Sequence, residues 1–320
     1  MKTAIVSTII NSENIIDSFI NYHLNIGFDY FIFFIDDNSE NIINYLTNKY
    51  GSLVILVKND INLDAIHKEM ELYMYFYEFK KKEVMARQIL NTKVSLNICL
   101  ELKIDWLLHI DIDELLYLTS EKSIKEYLNK VSYYGYETVT FNNLEALPEK
   151  THIVDYFKEV RLFKKNAIYY NKYDEITTGE TRKEFYMAYQ NGKSIVKVSY
   201  NTEVNSVHHF VGKGKPLKTY KDYSHVILHY CCCGYENFIK KYKTLGDFSD
   251  YWFNKDIIKN SLKFHIESRN IIKEGIEERI NNFYLKNVIK YESPKIKEFL
   301  QKGILIKINI PKTMFLKPLD

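Results

Sequence analysis

Three acids, Asp111, Asp113 and Glu114, stand directly after the apolar run Trp106-Leu107-Leu108-His109-Ile110. An unpaired carboxylate is costly inside a buried strand, so these acids belong at the strand's end, facing a cation. Side chains alternate along a strand, which puts Asp111 and Asp113 on one face and returns Ile112 to the core. Two hard oxygen ligands on one face suit Mg²⁺ or Mn²⁺, which keep positions open for water and substrate phosphates. The ligand such a site implies is a nucleotide diphosphate.

Positioning this chemistry requires strands that end together. Thr3 to Ile10 is a β-branched run closed by Asn11-Ser12-Glu13-Asn14, residue types that suit a helix cap. Ile15, Ile16, Phe19, Ile20 and Leu24 then recur at helical spacing up to Gly27. Phe28 to Ile35 predicts a second strand, broken at Asp36-Asp37-Asn38-Ser39, and Ile42 to Tyr50 a second helix. Ser52 to Lys58 predicts a third strand, and Leu63 to Leu102 a long helical region. Such alternation predicts an α/β fold with a doubly wound, mostly parallel sheet, whose ligands sit beyond the carboxyl ends of its strands. Asn11 and Glu13, Asp36 and Asp37, and Asp111 and Asp113 are expected to converge there on one crevice. No Gly-x-Gly-x-x-Gly and no Gly-x-x-x-x-Gly-Lys-Ser/Thr follows the first strand, which removes the main support for dinucleotide and P-loop sites.

From Tyr136 the strands shorten, at Thr138 to Phe141, Val160 to Lys164, Ser194 to Tyr200, Ser206 to Val211 and His225 to Tyr230. Asn166 to Gly192, rich in Tyr, Thr, Asn and charge, reads as a loop region of the kind that covers sites. Tyr235 to Leu245 predicts a helix, and Ile257 to Phe299 is mainly helical with a break near Pro294. The expected organisation is one domain over residues 1–248 and a mainly helical C-terminal extension over residues 249–320.

Composition narrows the function classes. With 44 Lys and Arg against 41 Asp and Glu, the chain has no electrostatic footprint for nucleic acid. Cys99 stands alone and Cys231-Cys232-Cys233 are consecutive, which fits neither a secreted disulfide scaffold nor a Cys-x-x-Cys zinc site, so reduced thiols are expected. No apolar run approaches ~20 residues, and Met1 to Ile10 reads as a strand rather than a signal peptide. A soluble cytoplasmic protein with no transmembrane segment is the expectation.

Several segments, taken in order, resemble the motifs of glycosyltransferases of the A-type fold, above all family 92 and the related family 2-like enzymes. They are Asn11-Ser12-Glu13, Tyr22-His23-Leu24-Asn25-Ile26-Gly27, Asp36-Asp37-Asn38-Ser39-Glu40-Asn41, Asn97-Ile98-Cys99-Leu100 and Trp106 to Leu115. Lys193-Ser194-Ile195-Val196 followed by His208, then His229-Tyr230 ahead of Glu236-Asn237-Phe238, complete the set. The resemblance runs from about Thr3 to Gly246. It implies a Rossmann-like nucleotide half, an acceptor half, and metal-dependent, inverting transfer from a nucleotide-sugar donor, UDP-linked by first preference, to a glycan or glycoconjugate hydroxyl.

On this resemblance Asp113 is the direct metal ligand and Asp111 reaches the metal or the ribose. His229 completes the shell, with His208 as second candidate. Arg87 pairs with phosphate, while Asn11, Glu13, Asp36 and Asp37 belong to the nucleotide side. Inverting transfer needs a carboxylate to take the acceptor proton, and Asp155 is first by position, with Glu145 and Asp174 as rivals. Phe141-Asn142-Asn143-Leu144-Glu145 replaces the family's Phe-Gly-Ser-like turn, so sugar and acceptor identity do not carry over, and Asn41 stands where the Asp-Asn-x-Ser-x-Asp turn has its last acid, which weakens that position as a nucleotide contact. Two other readings use the same acids. A metal-dependent nucleotidyltransferase or phosphohydrolase would want a further acid or Lys at a strand end. A non-catalytic carbohydrate-binding protein would not need Asp111 and Asp113 intact.

Overall fold

The apolar runs of the first half fold as strands separated by helices. The computed structural model describes residues 1–166, 185–253, 256–257 and 263–318. β1 (Thr3–Ile9) leads to α1 (Ile16–Asn25), β2 (Tyr30–Ile35) to α2 (Glu40–Tyr50), and β3 (Val54–Lys58) to α3 (Ile61–Lys68), α4 (Met74–Phe79) and α5 (Val84–Glu101). The long helical region is therefore three helices, the first capped by the Asp60 carboxylate, which accepts from the Asn62 and Leu63 N–H groups. β4 (Trp106–His109) and β5 (Glu114–Tyr117) flank the acids, and α6 (Ile124–Tyr133), β6 (Thr138–Leu147), α7 (Tyr156–Glu159) and β7 (Leu162–Lys164) follow. Next come β8 (Lys193–Lys197), β9 (Thr202–Val204), β10 (Phe210–Gly212) and β11 (Thr219–His229). The loop region expected over residues 166–192 lies largely outside the described residues.

Two units divide the chain, and both are discontinuous. Met1–Asn142, Asn191–Ile227 and Thr313–Asp320 make the first; Asn143–Gln190 and Leu228–Lys312 make the second, which runs through residue 248.

In the first unit the strand order is β3-β2-β1-β4-β8-β6. β1 pairs in parallel with β2 and β4, and β2 with β3. β8 runs antiparallel to both β4 and β6. Parallel neighbours need long crossovers, which the helices between the first four strands provide. Beyond β4 the pairing turns antiparallel, so the sheet is mixed rather than the doubly wound, mostly parallel sheet expected. The segment expected as one strand from Ser206 to Val211 is instead half of a hairpin, β10 against β9.

The second unit contains the end of β6 paired with β7, and β7 paired with the strand Leu305–Lys307, both antiparallel. Its helices, Tyr235–Leu245, Lys263–Glu274, Glu277–Asn287 and Ser293–Gln301, include those expected as a C-terminal extension. The first three share a core in which Phe238, Tyr242 and Tyr284 pack with Cys231 and Cys232, while Phe299 of the fourth packs with Leu162, Phe185 and Leu305, and the four cysteines of the chain are buried free thiols. The helical region breaks between Asn287 and Ser293, near Pro294 as expected, and Pro294 lies in the first turn of the next helix, where its missing N–H has no helical partner to lose. No helix among the described residues is long and apolar enough to cross a membrane.

His23 shows how α1 is fixed to β5. Its Nδ1 lies 2.8 Å from the Phe19 carbonyl, and its Nε2 accepts the Leu116 N–H at 3.3 Å, so the neutral ring carries its proton on Nδ1. Burial pushes its pKa down to about 3. An unfolded histidine takes up a proton near 6.5, so below that pH the unfolded chain binds more protons and stability falls as pH falls. One such histidine contributes a slope of about 1.4 kcal/mol per pH unit. His23→Gln is predicted to lower stability at pH 7 yet flatten its decline toward pH 5 by that amount. Denaturant titrations across the range test this, and an unchanged slope would contradict the buried neutral ring.

Candidate active site

The acids after β4 are organised by a lysine from β8. Leu108 pairs with Ile195, so continuing the antiparallel register brings Lys193 alongside the chain as it leaves β4. The Lys193 side chain is 1% exposed, and its Nζ donates to Asp111 Oδ2 at 2.7 Å and to the Val207 carbonyl at 3.3 Å. Glu114 Oε2 lies 3.7 Å from the same nitrogen and accepts the Asp111 N–H at 2.7 Å. Gln88 on α5 donates to Asp111 Oδ1 at 2.5 Å. Burial alone would lower the Lys193 pKa, but Asp111 and Glu114 outweigh it and hold the ammonium above its ordinary value. Sequence reasoning placed Lys193 only in a strand motif. A charged residue opening the buried run Ser194-Ile195-Val196 was the available signal, since such a charge needs a partner.

Gly192 positions a second group. A Cβ there would lie 2.0 Å from the Phe141 carbonyl, so only glycine lets the chain pass β6 this closely. Its carbonyl accepts from His208 Nδ1 at 2.8 Å. Burial, and then the charge of Lys193, push the His208 pKa down to about 3. The ring is neutral with its lone pair on Nε2, and a carbonyl holding the other nitrogen is the usual support of a metal-ligating histidine. Asp111 and Asp113 add hard oxygens, so the donor types fit Mg²⁺ or Mn²⁺. Among the described residues no three His, Cys, Asp or Glu side chains are gathered as a metal cage. An ion here would therefore depend on substrate oxygens to fill its shell.

Asn11, Glu13, Asp36 and Asp37 leave the same sheet edge, because Ile9 pairs with Ile35 and Val6 with His109. Asn11 and Glu13 are exposed in the turn after β1, and Asp37 is exposed with Oδ1 accepting the Ser39 N–H at 3.2 Å. Asp36, Asn59, Asp64, Lys80, Lys81 and Arg87 line an open cleft of about 400 Å³, within the range of small-molecule sites. Arg87, expected to pair with phosphate, instead closes a fork on Asp36, with Nε to Oδ1 and Nη2 to Oδ2 both at 2.8 Å. Its Nη1 donates to the Lys80 carbonyl at 2.8 Å, and Lys80 pairs with Asp64. Asn38, in the left-handed region at φ 52, exchanges hydrogen bonds with the Asn59 backbone at 2.6 and 2.7 Å, tying the turn after β2 to the end of β3.

The remaining expected residues belong to the second unit. Glu145 is 0% exposed; Oε1 accepts from Lys164 and Oε2 from the Ala188 N–H, each at 2.7 Å. Register dictates this, since Glu145 and Lys164 are direct cross-strand partners. A carboxylate so enclosed has no oxygen to offer an acceptor hydroxyl in this conformation. Asp155 caps α7 through the Phe157 N–H at 3.2 Å and pairs with Lys158 at 2.8 Å. His229 is buried at the end of β11, its ring centroid 4.9 Å from that of Tyr189. Asp174 lies outside the described residues.

Removing the ammonium from the acid cluster should be expensive. Lys193→Met is predicted to cost about 3–5 kcal/mol, because it strands the buried Glu114 and the partly buried Asp111 without a cation. Denaturant unfolding measures this, and a loss below ~1 kcal/mol would mean that Lys193 does not hold the cluster together.

Residues 6–274 match the model of glycosyltransferase family 92. The chain is 27% identical to a glycosyltransferase-like protein of Arabidopsis thaliana over 309 residues, spanning 91% of this chain and 66% of the relative. A second glycosyltransferase-like protein of that plant is 25% identical over 317 residues, spanning 91% of this chain and 59% of the relative. The chain thus spans about three fifths to two thirds of the length of the curated relatives it matches. Core-mannan synthase A from Aspergillus fumigatus, solved in its Mn/GDP form, is similar at a TM-score of 0.28 and 11% identity over 62% of this chain and 60% of that one, too weak a likeness to argue from. With the match extending over most of its length, the chain belongs to glycosyltransferase family 92.

Proposed function

We propose that the protein transfers a sugar from a nucleotide diphosphate donor, UDP-linked by first preference, to a hydroxyl of a glycan or glycoconjugate. The observation that carries this reading is a charge imbalance at the carboxyl edge of the first unit. Of the cations there, Arg87 is committed to Asp36, Lys80 to Asp64 and Lys193 to Asp111, which leaves Lys81 to face a diphosphate from the cleft. The carboxylates of that edge outnumber its cations, so an anionic donor needs a cation brought with it. Mg²⁺ or Mn²⁺ at Asp111 and Asp113, when bound, neutralises the diphosphate as the sugar-phosphate bond breaks.

The chain's own residues do the rest. Lys193 and Gln88 fix both oxygens of Asp111, leaving its remaining lone pairs in a set direction. Gly192 orients the His208 ring, and we assign to His208, rather than His229, the nitrogen that faces the acids. Asp36 and Asn59 line the cleft where a base or ribose would lodge. Inversion belongs to the proposal and rests on the family resemblance; Asp155 is the described acid assigned as base, its partner Lys158 being 40% exposed and able to turn away. Lys193 begins a strand, as a nucleotidyltransferase would want. Its Nζ donates to Asp111 and to the Val207 carbonyl and the side chain is 1% exposed, which favours glycosyl transfer.

Calorimetry with UDP, GDP and CDP tests the reading. Binding should need Mn²⁺ or Mg²⁺ and fall by roughly tenfold or more with EDTA, and Asp113→Asn should remove the metal dependence while the far-ultraviolet circular dichroism stays native. His208→Ala should weaken Mn²⁺ binding by about 10–100-fold, and His229→Ala by less. Equal nucleotide affinity in EDTA would end the metal-bridged reading, and turnover of a nucleoside triphosphate with a sugar phosphate would turn it to nucleotidyl transfer.

A further inference from the structure

The end of the first unit opposite the acids carries a surface that glycosyl transfer does not use. Tyr133, 85% exposed, and Tyr134, 65% exposed, end α6 and meet edge to face at 5.3 Å. Gly135, at φ +73, turns the chain, and the Tyr136 ring lies 5.2 Å from that of Tyr220 on β11. Lys218 binds the two segments together: its Nζ sits 4.7 Å over the Tyr136 ring and donates to the Tyr134 carbonyl at 2.8 Å. Residues 211–220 hold three lysines, Lys213, Lys215 and Lys218, and no acid, and all three lysines are exposed. This contrasts with the balanced charge of the whole chain.

Register locates the surface. Lys197 pairs with Trp106, the first residue of β4, and the Glu137 backbone bridges Lys197 and Lys218 with two 2.8 Å hydrogen bonds. Lys218 and the tyrosines packed on it therefore lie at the amino end of β4, and Lys213 and Lys215, hydrogen-bonded through their backbones to Asn201 just beyond β8, are on that side too, whereas Asp111 follows the carboxyl end.

We propose that this surface docks the protein on an anionic lipid bilayer. Tyrosine suits the headgroup layer, where its ring meets acyl chains and its hydroxyl stays hydrated, and lysine stems can lie along apolar surface with the ammonium at lipid phosphate. Adjacent tyrosine rings left largely in water gain from such cover, and each lysine near an anionic bilayer strengthens binding by about fivefold. The lysines supply the charge complementarity that a neutral bilayer or a neutral glycan would not reward. This docking is independent of which sugar, acceptor or metal the site uses.

Co-sedimentation of the full chain with vesicles tests it. Phosphatidylcholine containing a quarter phosphatidylserine should bind at least about tenfold better than phosphatidylcholine alone. Lys213→Gln and Lys215→Gln together should remove most of that preference, and Tyr133→Ser with Tyr134→Ser should weaken binding even with the lysines intact. Nucleotide affinity should not change in either variant, which controls for folding. Equal binding to both vesicle types, or no loss in the tyrosine variant, would overturn the proposal. Retention on an acidic polysaccharide without any vesicle binding would overturn it too, in favour of a glycan surface.

Discussion

A buried ammonium surrounded by carboxylates decides where the acids of the first unit point. Lys193 has lost nearly all contact with water, and a charge in that position is tolerable only when opposite charge and hydrogen-bond acceptors replace the solvent. Asp111 and Glu114 do so, with the Val207 carbonyl alongside. The pairing in turn needs β8 antiparallel to β4, since that direction delivers the first residue of β8 to the end of β4 where the acids begin. It also needs glycine at 192, because a side chain there would collide with β6 just before the lysine enters the sheet. The mixed sheet is thus a condition of the site: a parallel strand in the place of β8 would bring its carboxyl end to the acids.

Much of the first half is legible in the sequence because its signals are local. Each of β1 to β4 is an apolar run stopped by polar residues that suit turns or caps, and each turn leaves the edge where its acids were expected. The decisive contacts are not local. Lys193 and Asp111 are 82 residues apart, and nothing in the five residues of β8 states its direction or neighbours. Arg87 sits on the expected helix, but whether its fork meets a phosphate or Asp36 depends on how α5 lies against the end of β2. Glu145 and Lys164 each interrupt apolar strands, a local sign that they need partners, yet only the β6–β7 register makes each the partner of the other. His23 belongs to a motif shared with catalytic enzymes, and here it is a neutral structural pin.

The two units use buried charge differently. In the second, Lys164 and Glu145 satisfy each other inside the sheet and are fully shielded, an arrangement that fixes register more than it adds stability. In the first, Lys193 faces an excess of acids, and Asp111 keeps 28% exposure. An excess of negative charge at a partly exposed position attracts cations and repels phosphate. Of the two clusters, only the second is balanced within itself.

The lysines at the far end of the sheet do not relieve that imbalance. From Trp106 to Asp111 the chain advances about 16 Å at strand geometry, roughly twice the Debye length at physiological ionic strength. Lys213, Lys215 and Lys218 therefore contribute little to the potential felt at the acids, however exposed they are. An anionic donor approaching the carboxyl edge meets the field of the residues around it, in which Arg87 and Lys193 are already neutralised by the groups they hold. The first unit is thus polarised along its strands, with an acidic end suited to cations and a basic, aromatic end suited to anionic surfaces. Affinity for a diphosphate at the acidic end has to rise with divalent cation, while screening by monovalent salt weakens what binds at the basic end.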